Sequence, residues 1–388
     1  MMKWILYCLG GLVAILVILF IVARLYVGAV NVPVGEIDVD TDLLSQRIKL
    51  PDGFDFGVYH GDVPNARILR FTETGDLLVA NPNLGKIMLL QKDGDGDGKA
   101  DGKRLLIDGL NGPNGLDFYE GWLYIAETDA IGRVPFDHQG GLVTGEYERL
   151  VTGLPGGGNH WKKPLRFGPD GLIYVVFGSS CNICEEKDQR RAAMLRYQPD
   201  GSGEEILATG LRNSAGFDWS PADGQLYATD NGRDMLGDDY PPCELNRVEE
   251  GKFYGWPYAN GNNDPDPDMS EGRERELAAA TPMLHGFRAH TAPLGIIFLR
   301  GQALPEEYRG AALVALHGSW NRSEKDGYEV VSLHWDETGR VEERAFMTGF
   351  LKDDDVIGRP AELTEGPDGA IYIADDYAGA IYRVYYRE

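Results

Sequence analysis

One phrase recurs along this chain and constrains its fold more than any other feature: an apolar pair, a tight turn of the Pro-Asp-Gly kind, then a strand of apolar and aromatic residues. It reads LRFTETGDLLVAN at Leu69–Asn81 and GLDFYEGWLYIAET at Gly115–Thr128. It returns as LRFGPDGLIYVVFG at Leu165–Gly178 and as GFDWSPADGQLYATDNG at Gly216–Gly232. A looser copy fills Gly295–Gly318, and ELTEGPDGAIYIADD at Glu362–Asp376 is the last. The turn glycines Gly75, Gly121, Gly171 and Gly224 lie 46, 50 and 53 residues apart, and the longer gaps after them imply inserted loops. Each phrase predicts a β-hairpin. Hairpins at this period, with more strand between them, suit four-stranded blades set around an axis. A lone blade cannot bury both its faces, so its neighbours must supply the core. Six copies predict an all-β six-bladed β-propeller over residues 47–388. Its last strand, Ala380–Tyr386, is expected to pair with residues near Ile48–Tyr59, closing the ring and removing an exposed edge. A miscounted ring of five or seven blades is the nearest alternative; a pair of β-sandwiches fits the regular period less well.

Ahead of this body, Trp4–Ala23 runs for twenty residues without a charge, bounded by Lys3 and Arg24. As a helix it would span about 30 Å, the thickness of a bilayer core. Residues 1–29 are therefore expected to form a transmembrane anchor, with 30–46 as linker; a removed signal peptide is the alternative. Lys3 and the amino terminus favour an N-in orientation. Either reading puts the body outside the cytoplasm, in a periplasmic or other extracytoplasmic space. A net charge of −24 argues against a nucleic-acid partner, whose phosphates need concentrated Lys and Arg. No Gly-x-Gly-x-x-Gly opens a helix, so a nicotinamide fold is not expected.

Several loops carry residues suited to chemistry. In Gly153–Gly178 a glycine-loosened loop presents His160, a side chain suited to proton abstraction near neutral pH. Taken alone it reads first as a solvated loop histidine. Asp230–Asn246 holds five carboxylates in seventeen residues, a hard-cation environment or a solvated acidic insertion. Just upstream, Arg212 and Asn213 supply donors for an anionic ligand beside such a metal. Trp320 is suited to stacking on a planar ring and Arg322 to holding a carboxylate; Arg67 and Arg359 open the first and last blades. Asp93, Asp95, Asp97 and Asp101 take positions 1, 3, 5 and 9 of a calcium loop with Gly98 at position 6, but Arg104 stands where the bidentate glutamate belongs. That run reads as a structural Ca²⁺ site of modest affinity or as a solvated hairpin tip. Of the cysteines, Cys8 lies in the apolar run and Cys243 stands apart. Cys181 and Cys184 are spaced for a local disulfide in an oxidising compartment, and would need a further ligand to hold zinc.

Together GGGNHWKKPLRFGPDGLIYVVFGSSCNICEE, GLRNSAGFDW, DNGRD with DDYPPCELN, FYGWP, AHTAPLG, HGSWNR and GRPAEL resemble the sorbosone dehydrogenase family and the soluble quinoprotein glucose and aldose sugar dehydrogenases. The resemblance runs from about Arg67 to the C-terminus. It implies a six-bladed propeller that binds pyrroloquinoline quinone (PQQ) and Ca²⁺ and oxidises an aldose or a sorbosone-like aldehyde. It implies His160 as general base, Arg212 and Asn213 as contacts of PQQ, and the carbonyls of Gly232 and Arg233 as ligands of the active-site calcium, with Asp239 as an acidic neighbour. Thr291, Arg322 and Arg359 fall where the family holds PQQ carboxylates. Electrons would leave to a quinone or cytochrome, which a membrane anchor would keep near. There are departures: Ala361 replaces a second arginine, Pro113-Asn114-Gly115 replaces a glutamine-asparagine-glycine, and the stretch SSCNICEE gives no acidic partner for the histidine. A calcium-dependent lactonase and a non-catalytic binding propeller are the alternatives on the same architecture.

Overall fold

The protein is described here by a computed structural model, covering residues 11–17, 30–31, 33 and 35–387. The six repeated phrases become six hairpins, each in its own antiparallel sheet. In the first blade the strands are Ile68–Phe71, Leu77–Asn81, Lys86–Gln91 and Gly102–Ile107, in sequence order from the axis outward. Innermost strands of neighbouring blades touch one another around most of the ring. The fourth blade is interrupted before its outer strand, His285–Phe287, by an insertion that carries the short helix Glu274–Ala279. The ring closes as expected: Phe54–His60 pairs antiparallel with Ala380–Tyr386, Phe54 lying opposite Tyr386.

Successive side chains of a strand point to opposite faces, so a blade packed on both sides needs strands that are apolar throughout. Ile173–Phe177 and Ala312–Leu316 are buried at every position. Correspondingly, six hydrophobic clusters each join residues of two successive blades. Tyr119 stacks on Phe167 across one such boundary, with ring centroids 4.4 Å apart. Around the axis, charged side chains of the innermost strands pair with one another. Arg70 lies 3.4 Å from Asp117, and Arg166 lies 3.4 Å from both Asp218 and Glu362. Asp117 and Asp218 also each accept a backbone N–H of the next blade, from Phe167 and Phe298 at 2.8 Å.

This topology decides which loops can meet. The chain crosses each blade in alternating directions. Loops that enter an innermost strand therefore share a face with loops that join the second strand to the third. The segments around His160, Arg212, Gly232, Thr291, Trp320, Arg359 and Asp376 all belong to that face. The turns of the Pro-Asp-Gly kind lie on the other face, as does Asp93–Asp101, which joins a third strand to a fourth. The described residues of 30–46, expected as a linker, dock on the first face. Asn31 N–H donates to Trp320 O (2.8 Å) and Ile37 N–H to Tyr377 O (3.1 Å). Asp40 then caps the helix Thr41–Arg47 by accepting from Leu43 N–H (2.9 Å). The expected anchor, Trp4–Ala23, falls outside the described residues except for 11–17, a helical stretch with exposed side chains. Among the described residues no helix is long and apolar enough to cross a membrane.

Candidate active site

His160 sits where its loop folds back on the end of strand Ile173–Phe177. Two glycines make this possible. Gly158 has φ +91°, and a Cβ there would strike the backbone of Ser180. A Cβ on Gly178 would collide with that of His160. His160 Nδ1 lies 2.8 Å from Ser179 Oγ, and Ser179 Oγ donates to Cys181 O at 2.8 Å. A hydroxyl has one hydrogen, so Ser179 accepts from Nδ1–H, and the imidazole lone pair is left on Nε2. Ser179 thus holds the histidine tautomer in the stretch that offered no carboxylate for the task. Burial and the charge of Arg212 push the His160 pKa down to about 3, against the opposing pull of Asp234. The histidine is therefore a neutral base throughout the physiological range. Ser179→Ala is expected to lower kcat about tenfold, on the order of one lost hydrogen bond, and Ser179→Thr to restore most of it; steady-state kinetics of the pair checks this.

Arg212 is almost fully buried and is bonded on every nitrogen. Its Nε donates to Asn182 O (3.0 Å) and Nη2 to Asn182 Oδ1 (2.8 Å) and Asp234 Oδ2 (3.2 Å). Nη1 donates to the carbonyls of Asn231 (3.0 Å) and Gly232 (2.9 Å). Below it, Asp230 accepts the backbone N–H groups of Arg212 and Asn213 at 2.8 and 2.5 Å. Cys181 and Cys184 are disulfide-bonded, and the loop they close serves two partners at once. Its Cys181 carbonyl orients Ser179, and its Asn182 holds Arg212. Cys243 is free and buried.

Arg67, His160 and Asn213 line one cavity of about 190 Å³, together with Asn114, Lys162, Ser214 and Glu362. Two lining atoms, Asn114 Oδ1 and Ser214 Oγ, are buried without a partner among the described residues. Arg67 is pinned by Asp376 at 2.5 Å, and the other oxygen of Asp376 lies 2.7 Å from His317 Nε2. Arg359 Nη2 donates to His317 Nδ1 (3.0 Å), Nε donates to His317 O (3.1 Å), and the guanidinium lies 5.6 Å from the Tyr328 ring centre. Burial and Arg359 hold the His317 pKa near 3, so the pairing that protonates Nε2 toward Asp376 is that of a neutral ring.

Arg212 and Arg359 stand behind the cavity lining, and the remaining sequence candidates lie outside it as well. Thr291 is fully buried, and its hydroxyl donates to Arg288 O (2.9 Å). Trp320 is 36% exposed at the surface. Arg322 donates to Asp238 O (2.5 Å) and Ala289 O (3.3 Å), while its Nε is buried without a partner among the described residues. Asp239 is 91% exposed at its side chain and pairs with Arg322 (3.2 Å). In the same segment Asp234 turns inward instead, 3.2 Å from Arg212 Nη2 and 3.7 Å from His290 Nδ1. The side chain of Arg233 turns away into an ion pair with Asp266. On the opposite face, Asp93, Asp95 and Asp101 bring carboxylate oxygens within 4.8 Å of one another, without Asp97. Ser179, Lys162, Asp234 and the pair His317–Asp376 are the site residues that pattern reading passed over. All of them sit inside stretches already quoted, His317 opening HGSWNR and Asp376 ending the last repeated phrase; what no local pattern marks is that these two meet.

Comparison with known proteins extends this picture. An uncharacterized protein of Borreliella burgdorferi is 28% identical over 381 residues, covering 92% of this chain and 95% of its own. The aldose sugar dehydrogenase YliI of Escherichia coli is 24% identical over 58% of this chain and 60% of its own. The holo PQQ domain of a pyranose dehydrogenase from Coprinopsis cinerea shares the fold, with a TM-score of 0.75 at 19% identity over 87% of this chain and 97% of that one. A family model, the domain of unknown function DUF7133, matches residues 58–384. Because that match takes in all six blades and the cavity they surround, the chain belongs to the DUF7133 family.

Proposed function

We propose that the protein is a PQQ- and Ca²⁺-dependent dehydrogenase that oxidises an aldose, or a related sugar aldehyde of the sorbosone kind. The observation that carries this reading is a neutral histidine, its base on Nε2, lining a cavity that also bears Arg67 and unpartnered polar atoms. PQQ is a planar tricarboxylate, and the residues present fit it: Arg67 and Arg359 suit its carboxylates, and Asn114, Asn213 and Ser214 its remaining polar atoms. The carbonyls of Gly232 and Arg233, with Asp234 next in the chain, offer the hard oxygen donors Ca²⁺ prefers. When bound, PQQ supplies a hydride acceptor and Ca²⁺ polarises its carbonyl. The chain's own part is to place a sugar against that acceptor and to take a proton. His160 Nε2 accepts the proton of the anomeric hydroxyl while Ser179 keeps Nδ1–H in place. Arg212 holds a fixed positive charge beside the reacting centre. A lactonase of the same architecture would leave the cationic wall without a task.

Support also comes from the fold shared with a PQQ domain and the partial likeness to an aldose sugar dehydrogenase. Trp4–Ala23 and the disulfide fit a single-pass, N-in anchor with the propeller outside the cytoplasm, passing electrons to a membrane quinone or cytochrome. The test is to reconstitute the purified protein with PQQ and Ca²⁺ and follow dye reduction across aldoses, sorbosone and simple aldehydes. Turnover that requires both additions is expected; no PQQ uptake and no turnover overturn the proposal.

A further inference from the structure

Two lysines follow one another after the base, and they differ in kind. Lys163 is buried and satisfied, its Nζ donating to Pro155 O (3.0 Å) and Trp161 O (3.1 Å). Lys162 lines the cavity beside His160, and its Nζ makes no hydrogen bond or ion pair with any described residue. The Trp161 ring centre lies 5.7 Å from it. An ammonium group half-buried in a cavity, with no acceptor of its own, lacks the partner that usually makes such burial affordable. The charged groups around it do not supply one. Arg67 and Arg359 repel it, and Asp376, the carboxylate that attracts it, is already committed to Arg67 and His317. Glu362, also on the cavity wall, lies against Arg166, and His160 and His317 are neutral. Two arginines and a lysine thus face one spent carboxylate, and the local excess of positive charge calls for an anion.

We propose that Lys162 Nζ anchors a carboxylate of the anionic ligand held in this cavity. Resting on the function proposed above, that ligand is PQQ, and Lys162 is a cationic anchor additional to Arg67 and Arg359. Burial and Arg67 push the Lys162 pKa down to about 7. A carboxylate placed against Nζ favours its charged form, so the ligand raises this pKa and binding above pH 7 takes up a proton. The contribution of Lys162 is therefore complete below pH 7. It declines as pH rises beyond that value, toward the pKa of the bound state. An arginine at this position stays charged throughout and removes the decline.

The experiment is a PQQ titration of the cofactor-free full chain in detergent, followed by calorimetry and tryptophan quenching at pH 6 and pH 8.5. Wild type, Lys162→Met and Lys162→Arg are compared. Lys162→Met is expected to bind about ten- to a hundredfold more weakly at pH 6, in the range of a lost charge-assisted contact. Wild type is expected to weaken at pH 8.5 with measurable proton uptake, and Lys162→Arg to show neither. If Lys162→Met does not fold, as judged by its thermal transition, the arginine variant carries the test through its pH profile. Equal affinity and equal pH dependence in all three proteins overturn the proposal. So does a Lys162→Met protein with unchanged PQQ affinity and a raised KM for sugar, which would assign the ammonium to substrate. A wild-type protein that binds no PQQ at either pH overturns the parent reading as well.

Discussion

Replacing His160 with alanine is expected to lower kcat by at least about a hundredfold, the lower end of what a positioned general base contributes. PQQ affinity should stay within a few-fold, because Lys162, Arg67 and Arg359 remain. Single-turnover reduction of the loaded protein by saturating sugar separates the two effects. The wild-type pH profile gives an independent check. His160 must be unprotonated to act, and its pKa is held near 3 by burial and Arg212. Its lone pair is then present above that value and lost only as pH falls through it. This residue should give kcat/KM no acidic limb between about pH 5 and 8. A limb near 6.5 would mean that water reaches the ring and Ser179 does not hold it. Full activity in the alanine variant would move the base elsewhere, with Asp234 the next group to examine.

The second large effect is expected at a residue whose side chain takes no part in the cavity. Arg233 Nη1 lies 2.8 Å from both oxygens of Asp266, and Nη2 lies 2.8 Å from Asp268. The side chains of Arg233 and Asp266 are 5% and 0% exposed. Arg233→Met leaves a carboxylate charged in the interior, with only Asn260 Nδ2 (3.1 Å) and the Asp268 N–H (3.0 Å) to satisfy it. Removing one partner of a buried pair costs about 3–5 kcal/mol. The double variant Arg233→Met with Asp266→Leu should lose less than the sum of the single losses. Urea midpoints of the four proteins complete the cycle; additive losses would show that the two side chains do not support one another. The pair ties the insertion of the fourth blade to the loop bearing Gly232 and Asp234. The single variant should therefore also weaken Ca²⁺ retention, read by chelator titration.

The architecture was legible because it depends on periodicity. The Pro-Asp-Gly turns and the apolar strands beside them recur with each blade, and each expected hairpin occupies its own sheet. That all candidate loops share one face also follows from counting strands. Which side chains on that face converge does not. Arg67, His160 and Asn213 meet in one cavity from segments that lead into innermost strands, yet Thr291 and Arg359 lie in such segments too and do not line it. Trp320, Arg322 and Asp239 ride on longer loops joining second to third strands, and they point into loop packing or solvent instead. Ser179 and Asp376 are bound by partners tens to hundreds of residues away: Arg67 meets Asp376 across 309 positions. No local pattern encodes such a meeting. Arg233 shows the converse, a residue singled out for its backbone carbonyl whose side chain has a separate structural task.

The closure of the ring sets a schedule for folding. Its outermost strand in the last blade, Phe54–His60, comes from the start of the propeller, and its partner ends at Tyr386. Blades can form as their hairpins are made, but the first and last cannot be joined until nearly the whole chain exists. Bringing ends so distant together costs loop entropy that only the final contacts offset, and non-local pairing of this kind is slow. A chain still being made would thus remain open, and a truncation of even the last strand would leave raw the two edges, on Phe54–His60 and Ile371–Asp375, that this strand covers in the finished ring.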